Sequence, residues 1–261
     1  MTETHPLASS AASPAATVAV LRDGDGGLEV LLVRRNPKGS FAGMWVFPGG
    51  RVDVEDLRAA VGGVMDAGTG IEGADGEVAA ARHAAGREAE EEAGLRLDRG
   101  RMEVLSWWLP PAEAARRFAT WFFVAAVAPG HAVVIDQTEV HDHVWVEPAE
   151  ALARRDRDEL SLAPPTWMTL HWLAQHRDAA SVLAAAASRP PERFVTHAVF
   201  SRPGTLAAVV WEGDEGYEDG DLERPGPRRR LVTGERSWHF ESSPGRQELP
   251  GRCPQAPPSP P

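Results

Sequence analysis

The amino-acid sequence predicts a mixed α/β (α+β) fold, and three observations carry that expectation. Short apolar runs bounded by Gly, Asp and Pro recur over the first half of the chain, as strands do. One segment among them repeats small apolar residues at helical spacing, with Val78, Ala81, Ala85, Ala89 and Ala93 on a single stripe. Further helical patterns follow before short strand-like runs return, and strands interleaved with helices indicate mixed layers.

In chain order, TVAVLRD (17–23) and LEVLLVRR (28–35), with GDGG (24–27) between them, read as a hairpin. MWVFPGGRV (44–52) reads as a short strand that ends at Pro48-Gly49-Gly50. Residues 53–76 are rich in Gly, Asp and Ala and read as an inserted loop with a short helix at 55–61. The striped segment gives a helix over 76–93, with Asp75 as its N-cap and Gly94 placed to end it. Its alanines let the helix lie close against a sheet. Strands are expected over 101–109, 117–128 and 141–147, and helices over 148–155, 164–176 and 180–187. Residues 193–241 read as short strands and turns. The first sixteen residues, rich in Ala, Ser and Pro, read as disordered, and the Pro-rich tail around 247–261 should not pack.

Composition bounds the function. The 261 residues are 43% apolar and 25% charged, enough for one medium or two small domains with a real core. A formal net charge of -11 argues against non-specific binding to nucleic acid. An anionic substrate would need a metal ion or a local arginine cluster to offset that field. Lys38 is the only lysine, so the basic residues are almost all arginine. Cys253 is the only cysteine, which excludes an internal disulfide and a Cys-based zinc site, and it lies in the Pro-rich tail. The N-terminus lacks the basic start and apolar run of a signal peptide, and the most apolar stretch, WFFVAAVA (121–128), is far too short to span a bilayer. A cytoplasmic protein that binds no membrane is expected.

The segment REAEEEAGL (87–95) carries the chemistry. On a helix, Glu91 lies at about -60° and Glu92 at about +40° from Glu88, whereas Glu90 points about 200° away. Glu88, Glu91 and Glu92 therefore share one face at the border of the alanine stripe. One reading is a solvated helix with ion pairs such as Arg87–Glu91, worth only about 0.3–0.5 kcal/mol. Glutamates in a last turn also oppose the helix dipole, so helix stability does not account for them. The other reading is a hard divalent cation, Mg²⁺ or Mn²⁺, which clustered carboxylate oxygens bind while leaving positions open for substrate phosphate.

These residues resemble the second half of the Nudix box, G-x5-E-x7-R-E-U-x-E-E-x-G-U, where U is a bulky aliphatic residue. Arg87, Glu88, Glu91, Glu92, Gly94 and Leu95 fit, Ala89 is small for its position, and Gly50 in FPGG fits the opening glycine. The interval from Gly50 to Leu95 is twice the length the pattern calls for, so an insertion falls inside the box. Counted from Gly50, the first glutamate's place holds Asp56; counted back from Arg87, it holds Ala79. Asp56, Glu55 and Glu77 are the candidates to replace it. LLVRRNPKGSFAGMWVFPGGRVD, RRFATWFFVA and VWVEPAEAL further resemble the Nudix 19 type, which includes coenzyme A diphosphatases, although Gly39 stands where an arginine is expected.

The resemblance covers roughly residues 17–176 and implies a Nudix fold, a mixed β-sheet sandwiched between helices with a C-terminal extension. The domain would occupy 17–190 with its insertion at about 53–76. Residues 1–16 would be disordered, 191–241 an extension of short strands and turns, and 242–261 a disordered tail. The implied reaction is hydrolysis of a nucleoside diphosphate linked to another group. Glu88, Glu91 and Glu92 would hold the metal with Glu139 as a further ligand, for which Asp142 competes. Glu88 or Glu139 would act as general base, and Arg87 would orient a carboxylate. The implied partner is a small nucleotide diphosphate derivative, and a homodimer is left open. An isoprenyl diphosphate isomerase is disfavoured because its thiol would have to be Cys253.

The remaining candidates each have a plainer reading. Gly49 and Gly50 permit close backbone approach to substrate, or simply make a turn. Arg34, Arg35, Arg51, Arg116 and Arg117 suit phosphate contact, with Arg51 favoured for its place beside the glycines, but each also suits an ordinary surface. Trp107, Trp108, Phe118 and Trp121 could stack on a base, whereas aromatics on strands more often build the core. His141 and His143 alternate along one strand without a cysteine nearby, which is weak support for zinc. His83 is expected on the exposed side of the box helix.

Overall fold

The computed structural model describes residues 12–37, 41–61, 74–234 and 237–243. The expectations for Gly39, for Cys253, for disorder over 1–11 and for a tail over 244–261 lie outside the described residues.

Strand β1 (Ser13–Gly24) is the axis of the main sheet. On one edge its C-terminal half pairs antiparallel with β2 (Gly27–Arg35), Gly24 facing Gly27 across the turn, as the hairpin pattern predicts. Its N-terminal half pairs with β4 (Gly49–Arg51), Ala16 facing Gly50 and Thr17 facing Gly49. On the other edge it runs parallel to β6 (Phe118–Ala126). Residues 13–16, expected to be disordered, thus form the strand that holds the glycine turn. Composition misled because Ala15 and Ala16 are small enough to be buried where neighbouring backbone approaches closely.

The sheet is completed by β3 (Trp45–Val46) and β7 (Val140–Val146) on β2, by β5 (Glu103–Leu109) on β6, and by β8 (Glu192–Val195) parallel to β5. Parallel and antiparallel pairings together make it a mixed sheet. Alternation along β1 assigns its two faces: Val18 and Val20 point to one apolar cluster, Ala19 and Leu21 to the other.

The first face receives α2 (Ala74–Ala93). Ala81, Ala85, Ala89 and Ala93 have no exposed surface, and they let the helix settle directly on the strands, as the stripe predicts. The helix starts earlier than expected, so Asp75 lies in its first turn rather than capping it. Gly94, at φ 68°, ends it: its N–H donates to Glu90 O, and the next N–H, of Leu95, donates to Ala89 O. A shorter helix, α1 (Val54–Ala60), precedes it and opens with a capping box between Asp53 and Asp56.

The second face receives α3 (Pro148–Asp156), α4 (Pro164–Leu173) and α5 (Ala179–Ala187). No helix among the described residues is long and apolar enough to cross a membrane. Residues 197–242 form a separate antiparallel sheet, β9 (His197–Arg202), β10 (Thr205–Val210), β11 (Arg229–Thr233) and β12 (Trp238–Ser242), which ends inside the segment expected as tail. Its Val209, Trp211 and Leu231 join the same apolar cluster as Trp108 and Phe122 of the main sheet. Trp108 stacks on Phe194 with ring centroids 3.9 Å apart and meets Trp211 edge-on at 5.7 Å. The structure therefore puts Trp108 in the core, the plainer of its two readings.

Because these rings tie the extension to the sheet, Phe194→Ala should cost about 3–5 kcal/mol in urea unfolding. The transition should remain single. Two resolved transitions in the wild-type chain would mean that the extension folds by itself.

Candidate functional site

The candidate site forms where the last turns of α2 meet the Pro48-Gly49-Gly50 turn. β1 fixes that turn from below. Thr17 Oγ1 donates to Pro48 O at 2.8 Å, and the Val18 N–H donates to the same carbonyl at 3.0 Å. Thr17 carried no sequence signal for this role. A Cβ on Gly49 would stand 2.5 Å from Ala16 O, so only glycine fits there. A Cβ on Gly50 would stand 2.2 Å from Glu88 Oε1, so the helix side chain lies directly against the glycine backbone.

Glu92 is the most enclosed of the acids, its side chain 3% exposed. It accepts the Gly49 N–H at 3.0 Å and a charge-assisted hydrogen bond from Arg35 Nη1. Burial pushes its carboxyl up to about 8, against the pull of Arg35 and the Gly49 N–H, with Glu88 and Glu139 adding repulsion. Burial also raises the Glu88 carboxyl; Arg87 opposes that rise and the nearby Glu91 and Glu139 reinforce it. Glu91 is the exposed member. Glu90 points away and pairs with Arg96, as the helical angles predict.

Two arginines offset the repulsion. Arg87 reaches Asp56 with Nη2 at 2.9 Å and Nε at 3.3 Å, Glu88 at 2.8 Å, Glu91 at 2.9 Å and Arg51 O at 3.0 Å. Its hydrogen bond with Asp56 holds the guanidinium firmly protonated. Arg35 bridges Glu92 to Glu139, whose Oε2 is 3.2 Å from Arg35 Nη2. Asn36 ties down the loop that carries Glu139: its N–H donates to Glu139 O and its side chain to Thr138 O. Asp136 accepts from the backbone N–H groups of Glu139 and Val140.

The structure thus brings together Gly49, Gly50, Arg87, Glu88, Glu91, Glu92, Arg35 and Glu139, with Arg51 contributing its carbonyl and leaving its side chain exposed. Of the three stand-ins for the first box glutamate, only Asp56 joins the network. Glu55 pairs with Arg58 in solvent, and Glu77 lies in the first turn of α2, far along the helix. Asp142 is exposed and caps the His143 N–H instead. Arg117 donates to Pro110 O, and Trp107 packs with Arg193 and Trp121.

Among the described residues no three His, Cys, Asp or Glu side chains converge as a metal-binding group. The chemistry of the donors nonetheless fits a hard divalent cation. All are carboxylate oxygens, two sit largely buried among like charges, and arginine guanidinium groups supply the positive charge.

A model of the NUDIX domain family matches residues 12–165. No curated protein sequence matches the chain. Among solved structures, a NUDIX hydrolase from Alicyclobacillus acidocaldarius is similar, at 22% identity and a TM-score of 0.60, covering 70% of this chain and all of its own. The NUDIX domain of Shewanella oneidensis NrtR complexed with ADP ribose matches at 20% identity and a TM-score of 0.45, covering 66% of this chain and 92% of its own. A C. elegans Ap4A hydrolase binary complex matches at 18% identity and 0.40, covering 66% and 98%.

The raised Glu92 carboxyl gives stability a definite pH dependence. Between its ordinary value of 4.5 and about 8, the folded protein holds a proton that the unfolded chain has released. Metal-free stability should therefore fall as pH rises through that window. Melting temperatures in chelator from pH 5 to 8 should decline, and Glu92→Gln should flatten the decline. A flat wild-type profile would show the carboxylate already ionised in the fold.

Proposed function

The chain belongs to the NUDIX domain family, and on that premise we propose that it hydrolyses the phosphoanhydride bond of a nucleoside diphosphate linked to another group, with Mg²⁺ or Mn²⁺. One observation carries the reading: helix carboxylates come to rest on a glycine turn far upstream, Glu92 on the Gly49 N–H and Glu88 on Gly50.

Glu88, Glu91 and Glu92 are the proposed metal ligands, with Glu139 across the site. Such an ion, when bound, polarises the diphosphate and lowers the pKa of an attacking water. The chain's own residues position and neutralise, which is most of what phosphoryl transfer requires. Arg87, braced on Asp56, fixes the directions of Glu88 and Glu91. Gly49 and Gly50 let substrate phosphates approach the backbone. Arg51 is free to swing toward them, and Arg35 reaches them by exchanging Glu139 for phosphate. Glu88 or Glu139 takes the water's proton, and the two differ in exposure: Glu88 is largely buried and Glu139 is open to solvent.

The linked group is best assigned as coenzyme A or acyl-coenzyme A, supported by the likeness of 31–53 and of the segments 116–125 and 144–152 to the Nudix 19 type. NADH and ADP-ribose are the comparison substrates. A catalytically silent nucleotide-binding module is the second reading, favoured by the engagement of each site acid with an arginine.

Purified protein with Mg²⁺ or Mn²⁺ should turn over at least one member of a panel of coenzyme A, acyl-coenzyme A, NADH, ADP-ribose and nucleoside triphosphates. Glu91→Gln and Glu92→Gln should each lower kcat/KM by roughly a hundredfold, about 2.7 kcal/mol of transition-state stabilisation. Nucleotide binding without turnover would select the silent module.

Gly50→Ala separates site from scaffold. The new methyl displaces the end of the Glu88 side chain rather than backbone. Activity should fall by about tenfold or more while the melting temperature changes little. A full-activity variant would remove Glu88 from the reaction.

A further inference from the structure

Three of the proposed metal ligands stand on α2, but Glu139 stands on the segment that joins β6 to β7. Its side chain is 61% exposed, yet it belongs to the site: Arg35 bridges it to Glu92. An exposed glutamate on a loop keeps most of its rotamer freedom, and movement of the backbone beneath it would blur its position further. To act at one place in the site, it needs that backbone fixed.

One carboxylate does this. Asp136 Oδ2 accepts the Glu139 N–H at 3.2 Å and the Thr138 hydroxyl, and Oδ1 accepts the Val140 N–H at 3.3 Å. The N–H groups of the two peptides that flank the Glu139 α-carbon thus share a single acceptor group. Gln137, at φ 61°, turns the chain back beneath Asp136. The Glu139 carbonyl is held from the other side by the Asn36 N–H at 2.9 Å. Val140 is buried and faces Arg35 across β2, so the fixed loop is in register with the arginine that bridges the acids. Asp136 itself is exposed, so core packing does not account for it. A carboxylate is acceptor-only and can hold three donors at once, whereas an amide side chain offers one acceptor oxygen.

We propose that Asp136 is a positioning residue for the diphosphate chemistry: by fixing the backbone on both sides of Glu139, it keeps that carboxylate at the edge of the site opposite the α2 acids. The inference rests on the metal-dependent hydrolase reading and extends it from the helix to the loop. Asp136 acts only through Glu139 and touches neither metal nor substrate.

A double-mutant cycle in the full chain tests this, with Asp136→Ala, Glu139→Ala and the pair. Mn²⁺ affinity by calorimetric titration, turnover of the best substrate of the panel, and hydrogen exchange at the Glu139 and Val140 amides are the readouts. Asp136→Ala should speed that exchange and weaken both Mn²⁺ binding and kcat/KM about tenfold. In the Glu139→Ala background it should add no further loss of either. Asp136→Asn, which keeps one acceptor oxygen, should fall between and stands in if the alanine variant does not fold. A merely structural cap would cost the same in both backgrounds, and that result would overturn the inference. So would a fully active Asp136→Ala beside an impaired Glu139→Ala, which leaves the hydrolase reading intact. A Glu139→Ala variant with unchanged Mn²⁺ binding and turnover would remove both loop residues from the site and leave the α2 acids. A wild-type chain that neither binds Mn²⁺ nor turns over any substrate would overturn the hydrolase reading and the inference together.

Discussion

Repulsion among carboxylates at the end of one helix is the constraint around which this site is arranged. Glu88, Glu91 and Glu92 occupy adjoining positions in a last turn, where the helix dipole adds no relief. Two of them are largely out of water, which raises the cost of their charge. Arg87 and Arg35 each bridge acids from different parts of the chain, and the Gly49 N–H supplies a further donor. Remove these partners and the helix end would have to move into solvent or take up protons. Keeping the acids together therefore requires the glycine turn, the loop with Glu139 and the β1 strand beneath them.

That dependence runs back into the fold. Alanines with no exposed surface set α2 directly on the sheet, which puts its last turns at the level of β4. β4 is short, and its position follows from pairing with Ala15, Ala16 and Thr17 of β1. Larger residues at Gly49 would strike that strand's backbone. The packing of the helix and the placement of the turn are thus two consequences of small residues at facing positions. The other face of the sheet is built differently, from large aromatic and aliphatic side chains shared with α4 and the C-terminal sheet. One sheet carries a close-approach face for chemistry and a bulky face for stability.

Much of this was legible in the sequence, and the reasons differ by element. The box helix was readable because its buried stripe and its acidic face follow one period, and helical angles alone separated Glu90 from its neighbours. The hairpin was readable from its turn residues. The start of β1 was not, because Ala15 and Ala16 look like part of an Ala/Ser-rich tail and only their pairing with β4 and β6 reveals the strand. Arg35 shows another limit. Its residue type suits phosphate, yet its two acidic partners lie far away in sequence, and nothing local indicates them. The fused core of the extension was hidden for the same reason: Trp211 and Phe194 become core only when the second sheet folds against Trp108.

The interrupted box can be understood through Asp56. Counting from Gly50 identifies it, and the structure places it on Arg87, so the spacing from the glycine is preserved although the spacing to Arg87 is not. Its own backbone environment commits it to this role, because one oxygen also accepts the Asp53 N–H in the capping box of α1. An aspartate reaches less far than a glutamate and here needs no greater reach, since α1 brings it to the guanidinium. The extra chain therefore enters after the contact that must be kept and before the helix that carries the acids. Lengthening the chain between two fixed contacts adds closure entropy only slowly. The Arg87–Asp56 pair, with its two hydrogen bonds, ties α1 to the helix that carries the acids across the extra chain.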